Sequence, residues 1–129
     1  MNSPENSKIF IVEDNFMYSY ILEEMLKEEN NYKITTFSTG EGCVEMLQNN
    51  PDLIILDYNL EGAMNGMDTF KMISSMKPKI PVIILSSQTD VQIATDLLKM
   101  GAFDYIQKKD GETALLNLEN SIFKALKRK

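Results

Sequence analysis

The sequence predicts an α/β fold: one parallel, five-stranded sheet, doubly wound, with helices on both faces. Two observations predict it. Short apolar runs rich in β-branched residues recur five times along the chain, and a helical pattern follows each of them. Alternation of this kind requires right-handed crossovers, which set the strands parallel and place helices on both sides.

The first run spans Ile9 to Val12, and a helix from Phe16 to Glu29 follows, with Met17, Ile21 and Met25 at helical spacing. The second run, Ile34 to Phe37, lies in the mixed stretch Lys33-Ile34-Thr35-Thr36-Phe37 and reads as an edge strand. A helix from Glu41 to Asn49 carries Val44 and Leu47 and is stopped by Pro51. Cys43 falls in its apolar pattern and is expected to be a buried small hydrophobe. The third run, Leu53 to Leu56, precedes a helix from Met67 to Met76 with Phe70 and Ile73 inward and Pro78 beyond. The fourth, Val82 to Leu85, precedes a helix from Val91 to Met100 bearing Ala94, Leu97 and Leu98, with Gly101 placed as its C-terminal cap. The fifth, Phe103 to Ile106, precedes a helix from Glu112 to Lys127 bearing Leu115, Leu118, Ile122 and Leu126, with Asp110 as candidate N-cap. Apart from the second, the runs are almost continuously apolar, as strands buried on both faces are.

A chain of 129 residues suits a single domain, 1–129. Its formal charge of −6 argues against direct nucleic-acid binding, which needs clustered Lys and Arg. The short basic end, Lys124, Lys127, Arg128 and Lys129, reads as a solvated last turn. A lone cysteine points to a reducing compartment. No apolar run approaches a membrane span, and Met1 to Ser7 lacks the plan of a signal peptide, so a cytoplasmic location with no membrane partner is expected. Histidine is absent, which removes Ser-His-Asp chemistry and most zinc sites.

Sheets of this class bind ligands beyond the carboxyl ends of their strands. The residues there are Glu13-Asp14, Asp57, Ser86-Ser87 and Lys108-Lys109. Singly each is ordinary: Asp14 reads as the N-cap of the Phe16 helix, Ser86 as a turn cap and Lys108 as a solvated end. Jointly they bring three carboxylates, a hydroxyl and an ammonium to one edge. Like charges there call for a divalent cation, and oxygen donors without histidine or thiolate favour Mg²⁺. A carboxylate beside Mg²⁺ and lysine is a plausible phosphoryl acceptor.

These residues resemble the receiver domain of two-component response regulators, from Lys8 to about Leu126. Val12-Glu13-Asp14-Asn15 is similar to the acidic pair after the first strand, and Leu53-Ile54-Ile55-Leu56-Asp57 to the third strand delivering the phosphoacceptor. Val82-Ile83-Ile84-Leu85-Ser86-Ser87 resembles the strand with the switch hydroxyl, and Gly101 to Lys108 the stretch with the switch aromatic and the lysine. The resemblance implies a flavodoxin-like fold and a signalling module rather than an enzyme. It implies that Asp57 accepts a phosphoryl group from a phosphohistidine on a sensor histidine kinase or histidine phosphotransfer protein. Asp14 then ligates Mg²⁺ directly, Glu13 mainly through a water, and Asp57 and the backbone carbonyl of Asn59 complete the set. Lys108 pairs with the acceptor and then with the phosphoryl oxygens. Ser86 binds the phosphoryl group and Tyr105 turns inward. That movement reshapes the face of the fourth helix, fifth strand and fifth helix, where a downstream protein, an effector domain or a second copy docks. Asn59 and Gln88 are implied to help set the phosphate lifetime.

In two places the sequence departs from that pattern. Lys109 stands where proline is usual, so the Lys108–Lys109 bond is expected to be trans. The stretch Leu60 to Gly66 lacks a proline and carries one extra residue. Three rival readings remain open. One is a degenerate receiver that binds partners without phosphorylation. The second is an Asp-nucleophile phosphatase, although Asp57 is followed by Tyr58-Asn59 rather than an Asp-x-Asp pair. The third is a nucleotide-binding fold, which would need a glycine-rich loop after the first strand.

Overall fold

In a computed structural model, which describes residues 6–29, 31–88 and 90–127, the apolar runs become β1 (Lys8–Val12), β2 (Lys33–Phe37), β3 (Leu53–Asp57), β4 (Val82–Ser86) and β5 (Asp104–Gln107). All pair in parallel in the order β2-β1-β3-β4-β5. The helices are α1 (Phe16–Glu29), α2 (Gly40–Glu45), α3 (Gly66–Met76), α4 (Val91–Lys99) and α5 (Glu112–Lys127). The doubly wound, flavodoxin-like arrangement expected from the alternation is therefore the observed one. The positions 1–5 read as lacking a signal peptide, and Arg128 and Lys129 of the basic end, lie outside the described residues.

Period-two alternation sorts the central strands into two cores. Ile9, Ile11, Leu53, Ile55, Ile83 and Leu85 pack with Leu22 and Leu26 of α1 and Leu118 and Ile122 of α5. Phe10, Val12, Ile54, Leu56, Val82 and Ile84 pack on the other face with Cys43 of α2, Phe70 and Ile73 of α3 and Leu97 of α4. Cys43 is fully buried, and burial pushes its thiol up to about 12, so it behaves as the small hydrophobe expected.

Several elements differ from expectation for local reasons. β5 is not a strand buried on both faces; it is the second edge, and only Ile106 of its residues is fully buried. The segment from Glu41 to Asn49 is not one helix. α2 ends at Glu45, and Leu47–Asn49 tightens into a 3-10 turn before left-handed Asn50 and Pro51. α1 turns Leu22 and Leu26 inward with Tyr18 and Met25 beside them, while Met17 and Ile21 face solvent. Apolar residues stand on two stripes of α1, so spacing alone could not choose the buried one. Asp14 does not cap α1; Asn15 does, its Oδ1 accepting from the N–H of Tyr18 at 3.0 Å. Asp110 does not cap α5, because it closes the 3-10 turn Lys108–Asp110 and Gly111 directly precedes the helix. The Lys108–Lys109 bond is trans as expected.

Gly101 behaves as expected. With φ +109°, it follows α4 while its N–H reaches Leu98 O and that of Ala102 reaches Leu97 O, the paired bonds of a Schellman stop. Gly66 matters for another reason: a Cβ there would run into the backbone of Tyr58. That approach seats α3 against the residue after Asp57. Leu60 is buried at one end of the intervening loop, Asn65 caps α3 at the other, and the Glu61–Ala63 stretch between them is exposed.

Gly66→Ala is expected to lower stability by about 1–3 kcal/mol through overpacking. That loss outweighs the up to about 1 kcal/mol that alanine gains over glycine in a helix. Urea unfolding measures it, and a more stable alanine protein would show that the loop yields freely.

Candidate functional site

Strand parity decides which groups meet. Glu13 continues the Ile9-Ile11 side of β1, Asp57 the Leu53-Ile55 side of β3, and Lys108 the Ile106 side of β5, so all three stand on the α1–α5 side of the edge. Ser86 continues the Val82-Ile84 side of β4, and Tyr105 pairs in register with Ile84, so both stand on the opposite side.

The structure brings the predicted acidic residues together. Carboxylate oxygens of Glu13, Asp14 and Asp57 lie within 4.8 Å of one another. Glu13 and Asp57 are only 3% and 2% exposed, whereas Asp14 is open to solvent. The Lys108 ammonium sits 2.7 Å from Glu13 Oε1 and 3.4 Å from Asp57 Oδ2. The closer partner is thus Glu13, not the acceptor named from sequence. Lys108 also lies over the ring of Tyr18, 4.6 Å from its centroid. Burial pushes the Glu13 carboxyl up to about 7; Lys108 pulls it down and Asp57 adds to the rise. Burial lowers the Lys108 ammonium, but contact with Glu13 and the charge of Asp57 outweigh that and its net direction is upward.

Backbone amides finish the acidic groups. Asn15 N–H donates to Glu13 Oε2 at 3.1 Å, Asn59 N–H to Asp57 Oδ1 at 2.9 Å, and Glu61 N–H to Asp14 Oδ2 at 3.1 Å. The β3–α3 loop is therefore tied directly to Asp14. It also walls a cleft of about 340 Å³ beside Asp57, lined by Tyr58, Asn59, Leu60, Glu61, Asn65, Met67 and Gln88. A larger cavity of about 620 Å³ opens at the amino-terminal edge of the sheet among Pro78–Pro81 and Gly101–Phe103, and none of these charged groups lines it.

Ser86 is fully buried, with a continuous hydrogen-bonded path through it. Its hydroxyl donates to Asn59 Oδ1 at 3.3 Å and accepts from Gln88 N–H at 3.0 Å. The Tyr105 hydroxyl donates to Gln88 O at 3.4 Å, and its ring is half-buried against the α2–α4 core. Asp57 is thus linked to Tyr105 through Asn59, Ser86 and Gln88. Asn59 Oδ1 also accepts from the N–H and hydroxyl of Ser87, at 2.9 and 3.0 Å. Since a backbone N–H can only donate, the oxygen of the amide is the atom that faces Ser87.

Sequence reasoning named Glu13, Asp14, Asp57, Asn59, Ser86, Tyr105 and Lys108, and all seven stand at this edge. It missed Tyr18 and the contact of the Asn59 side chain with Ser87. An aromatic in the first turn of α1 was the available signal for Tyr18, but two apolar stripes obscured which way it faced.

A family model for the response regulator receiver domain matches residues 9–119. The chain is 29% identical over 127 residues to a protein-glutamate methylesterase/protein-glutamine glutaminase of Clostridium acetobutylicum, covering 95% of this chain and 36% of that protein. It is 31% identical over 116 residues to the DNA-binding transcriptional regulator NtrC of Escherichia coli, covering 88% of this chain and 24% of that one. The chain thus spans about a quarter to a third of the curated relatives it matches. Among solved structures, a response regulator receiver domain protein from Clostridium thermocellum superposes with a TM-score of 0.83 at 26% identity over 95% of each chain. A signal receiver domain from Vibrio parahaemolyticus gives 0.85 at 29% identity over 95% of this chain and 92% of that one. A match that runs from the first strand into the last helix leaves one conclusion: this chain belongs to the response regulator receiver domain family.

Proposed function

We propose that this receiver is a phosphoacceptor in which Asp57 takes a phosphoryl group from a phosphohistidine on a sensor kinase or phosphotransfer protein. The observation that carries the reading is the buried Asp57 carboxylate at the strand edge, held between the Asn59 amide and the Lys108 ammonium. The phosphorus–nitrogen bond to the donor imidazole breaks as a phosphorus–oxygen bond to Asp57 forms. Such transfers depend on positioning and charge neutralisation more than on covalent help. Lys108 supplies one positive charge, and Asn59 N–H fixes the carboxylate.

Three clustered carboxylates against one ammonium leave the pocket net negative with oxygen donors only, which fits Mg²⁺. Asp14, Asp57 and the Asn59 carbonyl would hold it, with Glu13 acting through water, and it would supply the remaining positive charge. Once Asp57 carries the phosphoryl group, Ser86 turns its hydroxyl from Asn59 to a phosphoryl oxygen, and the path through Gln88 passes the change to Tyr105. The α4-β5-α5 face then engages a downstream protein, an effector domain or a second copy. Phe16 and Met17, 79% and 65% exposed, offer an apolar rim beside Asp14 on which the phosphohistidine protein can seat. Among the described residues no helix is long and apolar enough to cross a membrane, and we place the module in the cytoplasm. The activities of the longer relatives lie outside this reading, which is regulatory and not enzymatic.

With acetyl phosphate and Mg²⁺, the wild-type protein is expected to gain one phosphoryl group in intact mass, and Asp57→Asn none. Equal masses would remove the reading. Partner binding that is equally tight with and without a beryllofluoride mimic would instead favour the phosphorylation-independent module.

The Glu13 pKa sets a pH dependence. Its carboxyl rises from 4.5 to about 7 on folding, so between those values the folded state binds the extra proton. Stability in metal-free buffer is therefore expected to fall as pH rises through that window and to level off above it. Thermal unfolding at stepped pH measures this, and Glu13→Gln should remove most of the fall. A slope unchanged in the glutamine protein would place its origin elsewhere.

A further inference from the structure

We propose that Tyr18 is a positioning residue for Lys108, its ring face holding the ammonium at the site. The inference rests on the reading in which Lys108 serves Asp57. Lys108 opens a 3-10 turn after an edge strand, and the next residue, Lys109, lacks the ring by which proline fixes its own backbone dihedral. A four-carbon stem on such a turn needs restraint from elsewhere. Its anionic partners do not suffice, because Glu13 is nearer than Asp57, at 2.7 against 3.4 Å. Charge alone draws the ammonium toward the wrong carboxylate.

Tyr18 supplies a third contact, with Nζ 4.6 Å from its ring centroid. The ring is well mounted. It packs against the α1–α5 core, and its own N–H donates to the cap residue Asn15. Unlike the carboxylates, the ring face keeps its attraction whatever the charge on Asp57 or Glu13 becomes. It therefore holds Lys108 in reach of Asp57 before and after phosphoryl transfer. The attraction comes from the face and not the hydroxyl, so phenylalanine should replace tyrosine and leucine should not.

The test compares wild type, Tyr18→Phe and Tyr18→Leu. One readout is the initial rate of Asp57 modification by acetyl phosphate with Mg²⁺. The other is the ring-current displacement of the Lys108 ε-methylene signals by NMR, which a merely structural role would not move. Wild type and Tyr18→Phe should show the displacement and react alike. Tyr18→Leu should lose the displacement and slow by about twofold to thirtyfold, the worth of a cation–π contact, while still unfolding cooperatively. A leucine protein that reacts at the wild-type rate, or a phenylalanine protein as slow as leucine, would overturn the proposal. If wild type takes up no phosphoryl group, the reading of Asp57 fails separately. The displacement then decides: present in wild type and lost in leucine it supports the placement of Lys108 by Tyr18, and absent from wild type it overturns it.

Discussion

Two carboxylates, Glu13 and Asp57, are buried beside one ammonium, and the edge of the sheet is organised around that imbalance. Buried charge is costly unless it is paired and hydrogen-bonded. Each carboxylate here receives a backbone amide as well as Lys108. The lysine must reach across β4 to do this, because β5 and β3 are two strand spacings apart, about 10 Å. A long stem is therefore a requirement of the topology. The same stem makes the ammonium hard to place, which is why its contact with an aromatic on α1 matters.

Much of this was legible in the chain. The β1, β3 and β4 runs are apolar at every position because both faces are buried, and the strand-end polar residues stand out against them. Parity then assigns Glu13, Asp57 and Lys108 to one side and Ser86 and Tyr105 to the other. Other features were not legible. α1 carries two apolar stripes, and only packing chooses Leu22 and Leu26 over Met17 and Ile21. Asn15 rather than Asp14 caps α1 because Asp14 is engaged by Glu61 N–H from a distant loop. Contacts at loop tips, such as Asn59 with Ser87, depend on backbone paths that no periodicity encodes. β5 showed the converse failure: the run Phe103 to Ile106 suggested burial on both faces, yet the strand closes the sheet as an edge.

The fold positions this chemistry but does not by itself define an output. The curated relatives carry the matched region as a minor part of longer chains that are named for different activities, a methylesterase in one and a DNA-binding regulator in another. What they share with this chain is the receiver. Its particular character lies in local features: Lys109 after the lysine, Tyr18 against the lysine's ammonium, and the β3–α3 loop tied to Asp14.

Asn59 Oδ1 has two lone pairs and three donors directed at it, from Ser86 and twice from Ser87. The oxygen is oversubscribed, so one donor can leave without orphaning it. The longest of the three bonds is that of the Ser86 hydroxyl, at 3.3 Å. Ser86 is consequently the tenant most easily released, while Ser87 keeps the amide in place. The molecule thus carries a spare donor at the point next to the buried carboxylate, and redirecting it leaves no unsatisfied acceptor behind.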